Sequence, residues 1–253
     1  MNVEIPVENE YYYIVNERYK GKMPVYFDED QFSQSAYIKS HYPEIKAEID
    51  AYFSRDIESE LKPGLIPHAS WDGSGWKSIG LYIFGFKRNA NCKKFPILTK
   101  IVESVPGMTS AQISVMKPKS ALKPHIDDTS AVARIHLGIK IPGQLPELGF
   151  RMSGREVTWK EGEIMILSPI RPHYAWNKTD GNRIVVIIDV IHEQYAGRRL
   201  RICGNVLAQL VMKLVASRIL VLKKLPKPVT RILHKTLGFG AYSILLFRRT
   251  FNI

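Results

Sequence analysis

The sequence predicts a mainly β (α+β) domain, a sandwich or small barrel, flanked by helices at both ends. From Ser110 to Ile191 the chain is a succession of short apolar runs bounded by turn residues, which is the texture of about seven packed strands. All 24 Asp and Glu residues precede Gln194, whereas 12 of the 36 Lys and Arg residues follow it, so the net charge of +12 resides in the C-terminal tail. A balanced body with an acid-free tail implies that the tail seeks an anionic partner, nucleic acid or a lipid surface. With 253 residues, 45% of them hydrophobic and 24% charged, the chain can bury a real core in one large domain. Three regions are expected: 1–75, helical and loop segments packed on the barrel; 76–193, the β core; and 194–253, a basic amphipathic helical tail.

The elements follow in order. Gln34 to Phe53 carries helical spacing through Tyr37, Ile38, Tyr42, Ile45, Ile49 and Phe53, and predicts one helix. Pro63 to Gly75 reads as loop, Ile79 to Phe86 as a strand, and Pro96 to Ser104 as a short helix closed by the Pro106-Gly107 turn. Seven strands then run Gln112 to Lys117, Arg134 to Ile141, Gly149 to Met152, Glu156 to Trp159, Glu163 to Leu167, Tyr174 to Asn177 and Arg183 to Val190. In Arg134-Ile135-His136-Leu137-Gly138-Ile139 the period of two puts Arg134 and His136 on one face and the aliphatics on the other. A polar inner face suits a barrel whose mouth holds a charged ligand.

Gly204 to Leu225 predicts a helix about 33 Å long, interrupted by Lys213 and Arg218 and therefore poorly suited to spanning a bilayer. Asn205, Gln209, Lys213, Ser217 and Lys224 share one side, with Arg218 the exception, as in a helix lying in a membrane interface. Pro226 and Pro228 end it, and Arg231 to Phe251 repeats the theme of basic residues among Leu, Ile and Phe. Two cysteines, Cys92 and Cys203, are too few for a disulfide scaffold and lack metal-binding spacing. The segment from Met1 to Glu10 has neither the basic flank nor the apolar run of a signal peptide. The expected location is cytoplasmic, peripheral at the inner face of the membrane.

Chemistry concentrates in Lys123-Pro124-His125-Ile126-Asp127. Residues separated by one project from the same face of an extended segment, so His125 and Asp127 can reach one metal, with Asp128 pointing away. His173 is the best third ligand, completing the two-His, one-carboxylate set that suits non-haem iron(II) and leaves positions open. Arg183, ten residues past His173 at the head of the next apolar strand, can grip a carboxylate in bidentate fashion. His41, His68, His192 and His234 lack companion ligands and read as surface or structural. Trp71, Trp76 and Trp159 read as core or rim, and Trp176, close to His173, as a candidate for the pocket wall.

The stretch Ser114-Val115-Met116-Lys117-Pro118 through His125, then Arg134-Ile135-His136-Leu137-Gly138, Trp159-Lys160-Glu161-Gly162-Glu163, and finally His173 with Asn182-Arg183, resembles the aspartyl/asparaginyl β-hydroxylase family. The resemblance runs from about Trp76 to Ile191, through Asn91-Cys92 and Phe95-Pro96. It implies a double-stranded β-helix (jelly-roll, cupin-like) that binds Fe(II) and 2-oxoglutarate and hydroxylates a C–H bond with O2. By matching position, His125 and His173 would bind iron, Ser114 and Arg183 the far carboxylate of 2-oxoglutarate, with Arg134 and His136 near its other end. The animal peptide hydroxylases of the family have glycine where Asp127 stands. The carboxylate is similar to the branch of bacterial lipid A and ornithine-lipid hydroxylases, although lipid A hydroxylases begin with an apolar anchor that this chain lacks.

The expected substrate is thus a membrane lipid acyl chain, reached through an anionic membrane surface that binds 194–253. The competing expectations are hydroxylation of Asp, Asn or another amino-acid derivative, and a non-catalytic cupin-like metal-binding or sensor protein. The tail's wealth of Leu, Val and Ile, with few aromatics for base stacking, disfavours nucleic acid.

Overall fold

In the computed structural model, which describes residues 5–6, 8–12, 19–55, 62–63, 75–219 and 225–251, the strands in chain order are β1 (Tyr26–Phe27), β2 (Lys62–Pro63), β3 (Trp76–Ile83), β4 (Phe86–Lys87), β5 (Met108–Met116), β6 (Ser120–Ala121), β7 (Val132–Lys140), β8 (Leu148–Met152), β9 (Arg155–Val157), β10 (Ile164–Leu167), β11 (His173–Asn177) and β12 (Arg183–Ile191). The larger sheet has the order β1-β10-β7-β12-β5-β3-β2, with β4 paired to β3, and the smaller one β6-β11-β8-β9. From β5 onward the chain alternates between the two sheets, the β8–β9 hairpin being the one exception. That winding is the double-stranded β-helix expected from the sequence, and all seven expected strands are present within a few residues of their expected ends.

The larger sheet is covered on both faces, which explains why every residue of β12 is buried and why it reads as a nearly continuous apolar run. Ile184, Val186, Ile188 and Val190 pack outward against helices, while Val185 and Ile187 pack inward with Met116, Phe150 and Trp159. On β7 the expected alternation holds, with Ile135, Leu137 and Ile139 in the outer core. Gly138, on the opposite face, bridges to Glu161, and a Cβ there would collide with the Lys160 carbonyl.

The outer helices are α1 (Gln34–Ser40), α2 (Tyr42–Phe53), α3 (Asn89–Cys92) and α4 (Pro96–Glu103). The single helix expected over Gln34 to Phe53 is therefore two, broken at His41 (φ −97, ψ 9). Pro43 is the cause. It has no N–H to donate into the preceding turn, and its ring crowds the carbonyl four residues back, so it fits only the first turn of a new helix. Ile45 and Ile49 of α2 then pack on Leu98 and Val102 of α4 and Ile135 of β7. The Glu48 carboxylate accepts hydrogen bonds from the Ile97 and Leu98 N–H groups at 2.7 and 2.8 Å, satisfying donors that a helix start leaves open. The loop expected from Pro63 to Gly75 lies mostly outside the described residues.

The C-terminal region forms α5 (Arg199–Arg218) and α6 (Lys227–Phe251). The helix expected from Gly204 to Leu225 starts one turn earlier, because Ile202 and Cys203 find apolar seats on the body. It ends at Ile219, where the backbone turns extended (φ −114, ψ 92); residues 220–224 lie outside the described residues. Cys203 and Val206 of α5 pack with Phe84, Val132 and Leu245, and β1 and β2, ahead of Trp76, belong to the larger sheet. Both cysteines are free and buried.

Candidate metal centre and anion pocket

Two backbone hydrogen bonds set the metal centre. His125 N donates to His173 O at 3.0 Å and His173 N to His125 O at 2.9 Å, a reciprocated pair joining the segment after β6 to the first residue of β11. Their rings consequently stand 4.3 Å apart, centre to centre. Asp127, two residues on and held by its N–H to Pro169 O at 2.9 Å, turns its carboxylate to the same point. One oxygen lies 3.9 Å from His125 Nε2 and the other 4.0 Å from His173 Nε2. Among the described residues this is the one group of three His, Cys, Asp or Glu side chains placed to hold a metal, and it is the trio the sequence predicts.

Both imidazoles are oriented alike. The Nδ1 of His125 lies 2.7 Å from Lys123 O and that of His173 lies 2.8 Å from Arg171 O. A carbonyl can only accept, so each Nδ1 carries the proton and each Nε2 presents a lone pair. Burial, with His125 alongside, pushes the His173 imidazole down to about 3, which keeps it neutral. Burial would raise the Asp127 carboxyl, but the Arg134 guanidinium and the two imidazoles outweigh it and hold the group well below the usual carboxylate range. Two imidazole nitrogens and one carboxylate oxygen, three donors on one side, suit iron(II).

Arg134 belongs to this centre. Its guanidinium donates to Asp127 and grips Asp189 with Nε at 2.7 Å and Nη2 at 2.9 Å, the register of β7 and β12 placing Arg134 opposite Asp189. Its place at the metal end agrees with the sequence expectation, but its donors are committed to two carboxylates, so it orients a ligand. Asp128 faces the other way, as expected, and accepts hydrogen bonds from Gln209 Nε2 at 3.1 Å and Lys213 Nζ at 2.6 Å of α5.

Arg183 is 2% exposed. Its Nη1 lies 3.4 Å from Ser114 Oγ, and its Cζ sits 4.7 Å above the Trp159 ring. Its Nε has no hydrogen-bond partner, and no carboxylate pairs with it among the described residues. Burial alone pushes it down to about 9. An uncompensated buried guanidinium is costly, and a bound anion is the natural remedy. His136 tells the same story. Its Nδ1 accepts from Trp159 Nε1 at 3.0 Å, so the proton is on Nε2, and that buried donor also lacks an acceptor. Burial, with Arg134 and Arg183 nearby, keeps His136 well below its usual range and neutral. Phe150 lies against both His136 and His173, at ring separations of 5.9 and 5.5 Å. The two orphaned donors and the metal ligands thus share one interior.

The sequence singled out the ligand trio, Arg183, Ser114, Arg134 and His136, and the structure gathers all seven in or against this interior. It missed Asp189, whose signal is a lone carboxylate inside Ile-Val-Val-Ile-Ile-Asp-Val-Ile; such a group must be paired. Two tryptophans read as core or rim touch the anion pocket: Trp159 under Arg183, and Trp76, whose Nε1 donates to Ser114 Oγ at 2.8 Å. Trp176, a candidate for the wall, donates to Pro146 O at 2.8 Å and covers Gly149. Of the other histidines, His192 is buried among Phe27, Phe32 and Tyr195, His234 meets Asn205 O at 2.9 Å, His41 meets Tyr37 O at 2.9 Å, and His68 lies outside the described residues.

The family model for aspartyl/asparaginyl β-hydroxylase matches residues 39–193. The chain belongs to this family. The match begins within α1, ahead of the expected boundary at Trp76, in keeping with helices that complete the β-hydroxylase domain's outer core. The chain is similar to an ornithine lipid ester-linked acyl 2-hydroxylase of Rhizobium tropici, 32% identical over 68% of this chain and 61% of the relative. It is also similar to the human aspartyl/asparaginyl β-hydroxylase, 27% identical over 50% of this chain but 17% of that much longer protein. It thus spans about three fifths of the first relative and a sixth of the second. Among solved structures, a viral collagen prolyl hydroxylase from Paramecium Bursaria Chlorella virus-1 matches with 14% identity and a TM-score of 0.36, over 58% of this chain and 91% of that one; a likeness of that size adds nothing to the assignment.

Proposed function

We propose that this β-hydroxylase family member is an Fe(II)- and 2-oxoglutarate-dependent dioxygenase that hydroxylates an unactivated C–H bond on a membrane lipid acyl chain. The observation that carries the reading is the pairing of an oriented His125–Asp127–His173 trio with a buried, unneutralised Arg183 in the same interior. An oxo-diacid answers both: one end suits a metal, the other a guanidinium. When bound, iron(II) and 2-oxoglutarate supply the oxidation, O2 giving one oxygen atom to the succinate formed with loss of CO2 and the other to the C–H bond.

The protein's own residues place and insulate. His125 and His173 offer Nε2 lone pairs because their Nδ1 protons are engaged by backbone carbonyls. Arg134 and Asp189 fix the Asp127 carboxylate. Arg183, steadied by Ser114 and Trp159, would hold the distal carboxylate, and the unpartnered His136 Nε2–H would be free to donate to the acid. Phe150 and Trp159 keep water from the interior, where each of these contacts gains strength.

The lipid substrate is supported by the R. tropici relative's name and by the Asp127 carboxylate. The human relative's name supports a second reading, hydroxylation of Asp or Asn side chains. Two buried free thiols support a reducing, cytoplasmic location. The test is anaerobic titration of 2-oxoglutarate into protein loaded with Mn(II) as a redox-inert stand-in, followed by aerobic assay with iron(II) and lipid extracts. Saturable binding, succinate release coupled to O2 uptake, and a lipid one oxygen atom heavier are expected. Metal binding without succinate would leave a non-catalytic sensor; a heavier peptide with unchanged lipid would select the second reading.

A further inference from the structure

The helix α6 packs inside out. Its seam against α5 is built from Thr230, His234, Gly238 and Leu245, all turned inward. The two helices approach so closely at Gly204 and Gly238 that a Cβ on Gly204 would lie 2.7 Å from Tyr242 N and 2.8 Å from Gly238 O. The large apolar side chains are left on the opposite side: Phe239 is 70% exposed, Ile232 66%, Ile244 57% and Leu246 42%. Ile232, Phe239 and Leu246, each seven residues apart, form one stripe, which Val229 and Ile244 widen to about half the helix circumference. All exposed large apolar residues among those described, apart from Phe86 and Ile97, lie at or beyond Val211. An apolar area of this extent on a soluble surface marks an interaction site.

The charge says what covers it. No Asp or Glu follows Glu193, and Arg231, Lys235 and Arg249 fall within about 40° of one another on the helix, between the seam and the apolar stripe. A second copy docking through the same face would bring these basic rims together with no acid in the hairpin to offset them. A polyanion such as nucleic acid would meet the rim but gain nothing from Ile232, Phe239 and Leu246. An anionic bilayer satisfies both parts, acyl chains against the stripe and phosphates against the rim. No helix among the described residues is long and apolar enough to cross a membrane, so the fit is to an interface.

We propose that the α5–α6 hairpin is a docking surface for anionic lipid bilayers, and that it brings the metal centre to the membrane. Lys213 and Gln209 of α5 bond Asp128, the neighbour of the ligand Asp127, while Val211 and Val215, 48% and 37% exposed, stand on the other side of the same helix. Docking through the hairpin therefore ties the ligand loop to the bilayer through α5, whose inner side holds Asp128. The surface stands on the hairpin's geometry and charge and does not depend on the acyl-hydroxylase reading.

The experiment is flotation of the full chain with phosphatidylcholine vesicles and with mixed phosphatidylcholine/phosphatidylglycerol vesicles, at low and high salt. Binding to the anionic vesicles, weakened by salt, is expected. The pair K235E/R249E should lower the partition coefficient at least about tenfold, and F239D/I244D should abolish it, while Mn(II) and 2-oxoglutarate binding stays at the level of the unaltered protein. Wild-type protein that remains with the supernatant, or hairpin variants that float as wild type does, overturns the proposal. So does a dimer in sedimentation velocity that Phe239→Asp dissociates, or an oligonucleotide complex lost in K235E/R249E without vesicle binding. Vesicle binding with no lipid turnover would keep the docking surface and remove the lipid substrate.

Discussion

The barrel interior and the C-terminal hairpin break the ordinary rule of burial in opposite directions. In the barrel, Asp127, His136, His173, Arg183 and Asp189 are all buried. In the hairpin, Ile232, Phe239 and Ile244 stand in solvent while a histidine, a threonine and a glycine share the seam with Leu245. Both inversions carry a cost: desolvated charge inside, hydrated hydrocarbon outside. In the readings proposed above, each cost would fall away when something outside the chain arrives, an anion and a metal for the barrel, an apolar surface for the hairpin. The outer core, where Ile45, Ile49, Leu98 and Ile135 meet, obeys the rule and gives the baseline.

The comparison can be broken or sharpened by experiment, beginning with that baseline. Ile45→Ala, which removes a fully buried side chain, should cost about 2–5 kcal/mol by denaturant melts. Next comes His192, both of whose ring nitrogens lack partners and whose imidazole burial pushes down to about 4. The unfolded chain binds the proton more readily, so stability is fully present above about pH 6.5 and is lost as pH falls towards 4. His192→Phe should flatten that slope, which amounts to roughly 3 kcal/mol at most; an unchanged acid melt would remove His192 from the account.

Arg183→Met separates stability from function. It should weaken 2-oxoglutarate binding about hundredfold in calorimetry and yet raise the melting temperature, since it deletes an unpaired buried charge. A fall in melting temperature would mean that the guanidinium is structurally satisfied. Asp189→Asn, which loosens the Arg134 clamp on Asp127, should lower metal affinity about tenfold to hundredfold in a competitive chelator titration. Smallest of all, Phe239→Ser should change stability within about 0.5 kcal/mol despite the size of the side chain lost. A cost like that of Ile45→Ala would show Phe239 to be core after all.

Much of the site was legible because its parts are close along the chain. His125 and Asp127 share a face through the period of two, and Arg134 and His136 do so again. His173 and Arg183 were read from their places around the last apolar strand, and the family resemblance added Ser114 beside Arg183. The broken helix was legible too, had Pro43 been given its full weight against the apolar spacing around it. Other features were not. Arg134 and Asp189 are 55 residues apart, and only the register of β7 against β12 sets them opposite. Trp76 reaches Ser114 because β3 pairs with β5, and Trp159, in the loop after β9, reaches Arg183 only through the winding of the chain.

By itself, then, the sequence determined the strands, the ligand trio and a cationic, acid-free tail, because periodicity and composition are properties of neighbouring residues. The tertiary structure alone decided that Arg183 has no carboxylate partner among the described residues, that Asp128 faces α5 rather than the two imidazoles, and that α6 turns its apolar side outward. Those facts depend on which surfaces meet and which remain uncovered, and that is settled by packing between segments far apart in the chain.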